Sequence, residues 1–295
     1  MSLIPSGVIP AMVTPFTAED TVNEPALRRL ANYLVEGGVH GVFATGSQGE
    51  FWALAADEKQ RVWDVVVDEV RGRVPVYAGT AGVTTRETIA LTRLAEKCNV
   101  NAVSILTPYF ISPSDDQLFD HYRAVAEATD VPIVLYTNPA RTNVRVSPEL
   151  VVRLSKVRNV VGIKDSSGDL ELSAEYMRAA PPTFSVLMGR DTLIYGGLLY
   201  GAKGAIAATG NVAPRLVASI YDKFRAGDLE GAREAQTDLA PLRMAFGWGT
   251  FPVVIKEALN LMGMDLGPAR APVGPLSIEQ RERLKGVLRG MKLLQ

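Results

Sequence analysis

The chain has 295 residues, of which 47% are hydrophobic and 21% are charged, and its formal net charge is −1. This is the composition of an ordinary globular protein, and the balanced charge argues against a nucleic-acid-binding surface. No apolar run reaches the roughly 18 residues that a membrane-spanning helix needs, so we expect neither nucleic acid nor a membrane as a partner.

Eight short runs of the sequence are rich in apolar residues. Most are apolar from end to end, which is typical of strands covered on both faces of a parallel sheet. In chain order, the predicted strands are residues 8–13, 41–45, 74–80, 102–107, 131–137, 160–164, 184–189 and 204–209. A new strand begins about every thirty residues, which is the length of one strand–helix unit.

Amphipathic stretches lie between and after these strands, with apolar residues at helical spacing. The predicted helices are residues 24–38, 57–70, 85–98, 114–128, 147–157, 214–227, 228–247, 250–263 and 277–294. Strands that alternate with helices predict an α/β fold, a (β/α)8 TIM barrel with a C-terminal helical extension. We predict a catalytic barrel over residues 1–227 and a helical region over 228–295 packed on it. An open doubly wound sheet is the alternative, but no GxGxxG follows the first strand.

The rare residue types add constraints. Cys98 is the only cysteine, so no intrachain disulfide can form. That fits a reducing compartment, and residues 1–10 lack the features of a signal peptide, so we expect a cytoplasmic protein. His40 and His121 lie far apart, without the spacing of metal ligands, and we expect no metal.

Polar residues follow several predicted strands, at the barrel end where active sites lie. The candidates are Thr45 and the loop GSQGE (46–50) after strand 2, Tyr136 and Arg141 after strand 5, Lys164 after strand 6, and Gly189 and Asp191 after strand 7. A lysine among apolar walls is easily desolvated, which makes its neutral amine accessible. Such an amine forms a Schiff base with a ketone, an electron sink for a neighbouring carbon–carbon bond.

The other candidates complete a site for a 2-oxo acid such as pyruvate. Tyr136 can transfer protons, Arg141 can bind a carboxylate with two hydrogen bonds, and the GSQGE loop offers backbone N–H groups to a second carboxylate. Each residue also has a plainer interpretation. Lys164 could extend to solvent, Tyr136 could be a core residue, and Arg141 could be a solvated loop charge.

Several motifs resemble those of the dihydrodipicolinate synthase/N-acetylneuraminate lyase family, and the resemblance runs from about residue 7 to the end. The motifs are VTPF (13–16), GSQGE (46–50), YTNPART (136–142), GIKDSSGD (162–169) and GAKGAIAATGNVAP (201–214). The resemblance implies barrel enzymes, commonly tetrameric, that join pyruvate to an aldehyde or release it by aldol cleavage. It therefore implies a class I aldolase that uses no cofactor beyond the covalent Schiff base.

By this resemblance, Lys164 is the Schiff-base lysine, Tyr136 relays protons, and Ser47 hydrogen-bonds Tyr136. Ser47 and Gln48 would receive the pyruvate carboxylate. Five further positions are expected to bind substrate: Arg141 at the second substrate's carboxylate, Ile206 beside the pyruvyl group, and the strand-end residues Thr45, Gly189 and Asp191. The family resemblance also implies a homodimer or homotetramer.

Two positions depart from the dihydrodipicolinate synthase pattern. Gln48 replaces the second hydroxyl of a GTTGE loop, and Phe110 replaces a tyrosine that enters the neighbouring subunit's site. Tyr109 or water would have to replace that tyrosine in a proton relay. We therefore expect a lyase for a 4-hydroxy-2-oxo acid, such as a 2-keto-3-deoxy sugar acid. The alternatives are 4-hydroxy-tetrahydrodipicolinate synthase, which condenses pyruvate with aspartate semialdehyde, and a non-catalytic barrel that binds pyruvate or a sugar acid.

Overall fold

The computed structural model describes residues 3–294, and within that span eight parallel strands form one sheet. Strands β1 to β8 are Gly7–Pro10, Val42–Ala44, Val76–Gly79, Ala102–Leu106, Ile133–Thr137, Val160–Asp165, Ser185–Met188 and Gly204–Ala207. β1 pairs with β8, and one parallel bridge between Ala11 and Phe43 brings the first strand beside the second. The sheet is thus a nearly closed barrel, and the predicted TIM-barrel fold is confirmed.

Helices alternate with the strands and continue after the last one. Helices α1 to α12 are Glu24–Glu36, Ala56–Val70, Thr85–Lys97, Asp115–Glu127, Pro139–Thr142, Pro148–Leu154, Leu170–Ala179, Ile194–Tyr200, Pro214–Arg225, Leu229–Ala245, Val253–Leu261 and Ile278–Gly290. The sequence prediction did not locate α5, α7 and α8. α8 contains two adjacent glycines, which are poor helix formers, and α5 is a single turn. No helix within residues 3–294 is long and apolar enough to cross a membrane.

Side-chain caps explain where several helices begin. Thr84 accepts a hydrogen bond from the Glu87 N–H before α3, and Asp169 accepts one from the Leu172 N–H before α7. Before α12, Ser277 and Gln280 form a reciprocal capping box. Each cap satisfies backbone donors that have no partner inside the helix, so these helix starts are encoded locally.

Strand side chains alternate between the barrel interior and the layer under the helices, as the two-residue period of a strand requires. An inner cluster includes Ile9, Phe43, Val134, Leu187 and Ile206. Neighbours along the same strands, such as the buried Ile133 and Leu135, pack in the outer cluster instead. Tyr136 lies two residues after the inward-facing Val134, so the same alternation directs its phenol to the barrel interior.

The C-terminal helices α10 to α12 pack beside the barrel. α10 lies against α9 along much of its length, and α12 contacts both α10 and α11. Residues just before and within α11 reach the open end of the barrel, where Phe251, Val254 and Ile255 line a cavity. The division into two regions at residue 227 stays a prediction, but the extension contributes directly to the wall of the site.

Candidate active site

A cavity of about 390 Å³ opens at the carboxyl ends of the strands. Most of the residues predicted to form the site line it together: Ser47, Gln48, Tyr136, Arg141, Lys164, Gly189, Asp191 and Ile206. They come from the loops after β2, β5 and β7 and from strands β5, β6 and β8. The barrel therefore brings together residues as far apart in the sequence as Ser47 and Ile206, which are 159 positions apart. The predicted convergence of these side chains is what the structure shows.

Lys164 lies at the end of β6 with its side chain inside the barrel, and the residue is 4% exposed. Its register partner on β5 is Tyr136, and its Nζ lies 4.0 Å from the centroid of that tyrosine ring. The Phe43 ring centroid is 5.2 Å away. No carboxylate or carbonyl among residues 3–294 hydrogen-bonds to the amine, so aromatic faces are its immediate surroundings. The lysine does not extend to solvent.

Tyr136 is buried, and three polar side chains surround its hydroxyl. Its Oη lies 3.4 Å from Ser47 Oγ and accepts a hydrogen bond from Asn138 Nδ2 at 3.1 Å. Burial alone would raise the pKa of Tyr136, whereas the Lys164 charge lowers it. Hydrogen bonds from Ser47, Asn138 and Ser166 lower it further, so the pKa of this phenol lies below its ordinary value. Such a phenol gives up its proton more readily near neutral pH.

The GSQGE loop presents backbone donors to the cavity. The N–H groups of Ser47 and Gln48 have no acceptor within the described part of the chain. The loop is held from behind, because Thr14 Oγ1 donates to the Gly49 carbonyl at 2.7 Å. A Cβ at Gly49 would lie 3.0 Å from the Met12 carbonyl oxygen, so a small residue is favoured there. Free N–H groups on a fixed loop suit a carboxylate.

Glu50, the last residue of this loop, is fully buried and anchors it to the C-terminal extension. Its Oε1 lies 2.7 Å from Nζ of Lys256, on α11, and its Oε2 accepts the Arg270 N–H at 2.9 Å. Lys256 also donates to the Pro268 carbonyl at 2.7 Å. A buried carboxylate needs such partners, so the loop and the extension are held as one unit.

Arg141 lies on α5 at the cavity mouth. Its guanidinium carbon lies 4.2 Å from the centroid of the Phe251 ring, a stacking contact that orients the guanidinium plane. No hydrogen bond to another residue among 3–294 uses its donors, which leaves them available for a ligand.

Arg190, Arg243, Asn138 and Ser166 also line the cavity, and the sequence prediction missed all four. Three of them stand inside or beside quoted motifs: Asn138 in YTNPART, Ser166 in GIKDSSGD and Arg190 between the predicted Gly189 and Asp191. Their positions near strand ends could have revealed them. Arg243 carries no such signal, because it comes from α10 in the extension.

Asp191 is buried and lies beside Arg243. Its Oδ1 accepts the Thr209 hydroxyl at 2.8 Å and the Thr209 N–H at 3.0 Å. Its Oδ2 lies 3.4 Å from Arg243 Nε. The aspartate therefore ties the loop after β7 to the loop after β8, and its part in binding substrate stays a prediction.

Three predicted site residues lie outside this cavity. The Thr45 hydroxyl donates to the Gly79 carbonyl at 3.1 Å and accepts from the Trp63 indole at 2.7 Å, so both of its hydrogen-bonding roles are used. Tyr109 is half-buried and packs edge-on against Phe51, 5.8 Å between ring centroids. Phe110 is 98% exposed. Their proposed functions stay predictions.

Comparisons with known proteins identify the family of this chain. The model of the dihydrodipicolinate synthetase family matches residues 4–291. The chain belongs to the dihydrodipicolinate synthetase family. A relative from Methanopyrus kandleri named 4-hydroxy-tetrahydrodipicolinate synthase is 39% identical over 290 residues, covering 98% of this chain and 97% of that protein.

Solved structures of family members have the same fold. Dihydrodipicolinate synthase from Thermotoga maritima matches with a TM-score of 0.96 and 34% identity, covering 99% of this chain and all of that one. The chloride-inhibited enzyme from Acinetobacter baumannii, complexed with pyruvate, matches with a TM-score of 0.95 and 32% identity, covering 98% and 99%. As a member of this family of lyases, the chain is an enzyme of the class I aldolase type.

Among residues 3–294, no group of three or more histidine, cysteine, aspartate or glutamate side chains is placed to hold a metal ion. The expectation that catalysis requires only the lysine, without a metal or organic cofactor, stays a prediction for this family member.

Proposed function

We propose that the enzyme forms a Schiff base between Lys164 and pyruvate and uses it to make or break a carbon–carbon bond. The observation that carries this proposal is the buried Lys164 amine, 4.0 Å from the Tyr136 ring and without an ion-pair partner in the described chain. A desolvated amine inside a cavity is the form that adds to a ketone. The pyruvate complex of a similar enzyme supports the choice of 2-oxo acid.

In the proposed reaction, Lys164 Nζ attacks the ketone carbon of pyruvate, and the resulting carbinolamine loses water to give an iminium. Tyr136 stands beside this centre and moves the protons: to the departing hydroxyl, and from the pyruvyl methyl group to give an enamine. The enamine carbon then attacks the aldehyde carbon, whose oxygen takes up a proton. Hydrolysis of the new iminium releases the product and restores the amine.

The two carboxylates have separate candidate sites. The free N–H groups of Ser47 and Gln48 would bind the pyruvyl carboxylate, and Ile206 would pack beside the pyruvyl group. Arg141, stacked on Phe251, would bind the acceptor's carboxylate. Fixing both partners next to Lys164 converts the bond-forming step into an intramolecular one.

For the acceptor, 4-hydroxy-tetrahydrodipicolinate synthase activity has better support than the sugar-acid lyase that we predicted first. Relatives at 39% and 40% identity, which span nearly the whole chain, are named for that activity. Arg141 fits it, because aspartate semialdehyde carries a carboxylate. We infer that the enzyme condenses pyruvate with this aldehyde.

Cleavage of a 4-hydroxy-2-oxo acid is the second candidate, and two observations favour it. The buried Oε1 of Gln48 has no hydrogen-bond partner among the described residues, so it can accept from a substrate hydroxyl. Phe110 has no hydroxyl with which to relay protons, and its ring is exposed and does not line the cavity. Both features replace groups that the synthase pattern contains.

Borohydride trapping with pyruvate tests the shared chemistry. Intact mass should rise by one reduced pyruvyl group, and peptide mapping should place it on Lys164. Folded enzyme that gives no adduct would support the non-catalytic alternative instead. Turnover with aspartate semialdehyde, assayed beside cleavage of 2-keto-3-deoxy sugar acids, then separates the two candidate reactions.

We also infer a homodimer or homotetramer. Trp52, Phe110 and Ile111 expose large apolar side chains from the loops after β2 and β4, and contact with a second copy would bury them. Substituting Phe110 by Asp should lower the apparent mass in sedimentation analysis. A cytoplasmic location stays a prediction from the single, buried cysteine.

A further inference from the structure

A second, much smaller cavity shares part of its wall with the candidate active site. Its volume is about 10 Å³, which is room for one water molecule. Two residues of the described chain, Ser47 and Tyr136, line both this small cavity and the active-site cavity. These two residues therefore separate the pyruvate site from a space of the size of one water molecule.

Ser104, on β4, lines the small cavity and brings an unused hydroxyl to it. The residue is 1% exposed, and its Oγ has no hydrogen-bond partner among residues 3–294. It faces the barrel interior, because Ala102 and Leu106, two residues to either side, belong to inner clusters. Leu106 is the register partner of Tyr136, so Ser104 lies one inward position before the layer of that phenol. A buried hydroxyl without a partner is unfavourable, which favours a water molecule beside it.

Ser47 offers such a water a second partner. Its Oγ has one contact within the described chain, to Tyr136 Oη at 3.4 Å, and a hydroxyl can donate one hydrogen bond and accept two. The Thr45 hydroxyl also belongs to a residue of the small cavity, but it is already bonded to the Gly79 carbonyl and the Trp63 indole. Ser47 and Ser104 are therefore the hydroxyls that can hold the water, and two polar partners are enough for one.

The proposed reaction demands such flexible partners, because Tyr136 alternates between phenol and phenolate. Ser47 Oγ donates to the phenolate but accepts from the phenol, so its bond to the water must reverse as well. The water then needs a neighbour that can both accept and donate, which a serine hydroxyl does and a carbonyl or an apolar side chain does not. The reversal breaks no bond between heavy atoms, since the hydroxyl groups and the water need only rotate.

We propose that Ser104 and one bound water complete a hydrogen-bond chain, Tyr136–Ser47–water–Ser104, that supports both protonation states of Tyr136. Ser104 is a positioning residue, because it acts on Tyr136 through Ser47 and does not line the active-site cavity. The inference rests on the proposed Schiff-base reaction, in which Tyr136 moves the protons. The chain lies within one copy of the protein, so it does not depend on a hydroxyl at position 110, where this sequence has phenylalanine.

Exchange of the pyruvyl methyl protons in deuterated water measures the Tyr136 step, because it requires the enamine but no aldehyde. Ser104→Val should lower the exchange rate at saturating pyruvate by about 10-fold, the size of one hydrogen bond. The KM for pyruvate and the final yield of borohydride adduct should be unchanged. Ser104→Thr has nearly the same shape as Ser104→Val but keeps a hydroxyl, and its rate should stay within about 3-fold of wild type.

Ser185→Ala is the matched control for Ser104→Ala. Ser185, on β7, is also fully buried, and its Oγ also lacks a partner in the described part of the chain. It lines neither cavity. Ser104→Ala should slow the exchange by about 3- to 10-fold, whereas Ser185→Ala should leave the rate unchanged. Thermal unfolding of both variants separates this effect from a loss of stability.

A high-resolution crystal structure tests the water directly. The wild-type enzyme should show it within hydrogen-bond distance of the hydroxyls of Ser47 and Ser104, and the Ser104→Val enzyme should lack it. Absence of the water from the wild-type enzyme would overturn the inference. Equal exchange rates in Ser104→Val and Ser104→Thr, or equal losses in Ser104→Ala and Ser185→Ala, would also overturn it.

These outcomes are distinct from failure of the proposed function. Wild-type enzyme that forms the adduct and exchanges the methyl protons supports the Schiff-base reaction, whatever the Ser104 variants do. Folded wild-type enzyme that forms no adduct would refute the proposed function itself.

Discussion

Among the buried lysines of this enzyme, Lys256 and Lys164 differ in the partners of their amines. Lys256, on α11, lies 2.7 Å from the Glu50 carboxylate and donates to the Pro268 carbonyl. Lys164, on β6, is 4% exposed and has neither an ion pair nor a hydrogen bond among residues 3–294. Both amines lie near aromatic rings. Nζ of Lys256 is 4.2 Å from the Phe16 ring centroid, and Nζ of Lys164 is 4.0 Å from the Tyr136 ring centroid.

The difference shows how burial can have opposite uses. Burial lowers the pKa of Lys256 to about 8, the Glu50 carboxylate offsets part of that effect, and the pair joins two parts of the fold. A buried amine without such a partner makes no competing contact, so it is accessible to a ligand in the cavity. The four substitutions below test this distinction.

Lys164→Ala should have the largest effect on activity. Turnover and the borohydride adduct should both be lost, with the rate below roughly one thousandth of wild type, because no other amine reaches the pyruvate. Stability should be unchanged or slightly higher, since no ion pair is broken. Thermal unfolding alongside the adduct assay measures both, and a large drop in melting temperature would show that Lys164 has a structural role.

Lys256→Met should have the largest effect on stability. It leaves the Glu50 carboxylate buried without its partner, which costs about 3–5 kcal/mol of unfolding free energy. Denaturant titration measures the loss. The double variant Lys256→Met/Glu50→Gln removes the stranded charge and should recover part of it. Folded Lys256→Met should still form the pyruvyl adduct, and a variant of normal stability that had lost the adduct would contradict the comparison.

Asn138→Leu should produce a smaller change, visible in the pH profile. It removes the amide that donates to the Tyr136 hydroxyl at 3.1 Å, and this hydrogen bond helps to lower the phenol's pKa. The pKa of Tyr136 should therefore rise, and the acid limb of the kcat/KM profile should move to higher pH, because the phenolate is the proton acceptor. An acid limb that stays in place would assign it to another group.

Arg158→Ala should have the smallest effect. Arg158 and Asp130 also lie 2.7 Å apart, but their side chains are 73% and 85% exposed. Water already solvates both charges, so we expect a change of less than about 1 kcal/mol in unfolding free energy. A loss as large as that of Lys256→Met would mean that burial does not distinguish the two ion pairs.

Much of the fold and the centre of the site could be predicted from sequence. Continuous apolar runs located all eight strands, because strands covered on both faces carry little polar surface. The two-residue alternation then places Tyr136 and Lys164 on the inner side of neighbouring strands. α8 escaped prediction because its glycines hide the helical pattern, although burial of Ile194 and Leu198 stabilises it.

What the sequence could not supply depends on packing between distant segments. Arg243 reaches the cavity because α10 lies against the barrel, and no local pattern encodes that contact. The exposure of Phe110 is also a tertiary property, since its loop positions the ring outside its own cavity. Thr45 was expected to face the substrate, yet its hydroxyl is bonded to Gly79 and Trp63, which come from β3 and α2.

The link between Glu50 and Lys256 has a consequence for how such enzymes diversify. Lys164 and Tyr136 belong to the barrel, whereas Arg243, Phe251 and Ile255 belong to the extension and line the same cavity. A chimera with residues 228–295 from a relative would keep the bond-forming pair and replace much of the acceptor's surroundings. The incoming segment would have to supply a cation and a backbone N–H for Glu50 and pack against α9. We therefore expect recombination near this predicted boundary to change acceptor specificity while the proposed Schiff-base chemistry is kept.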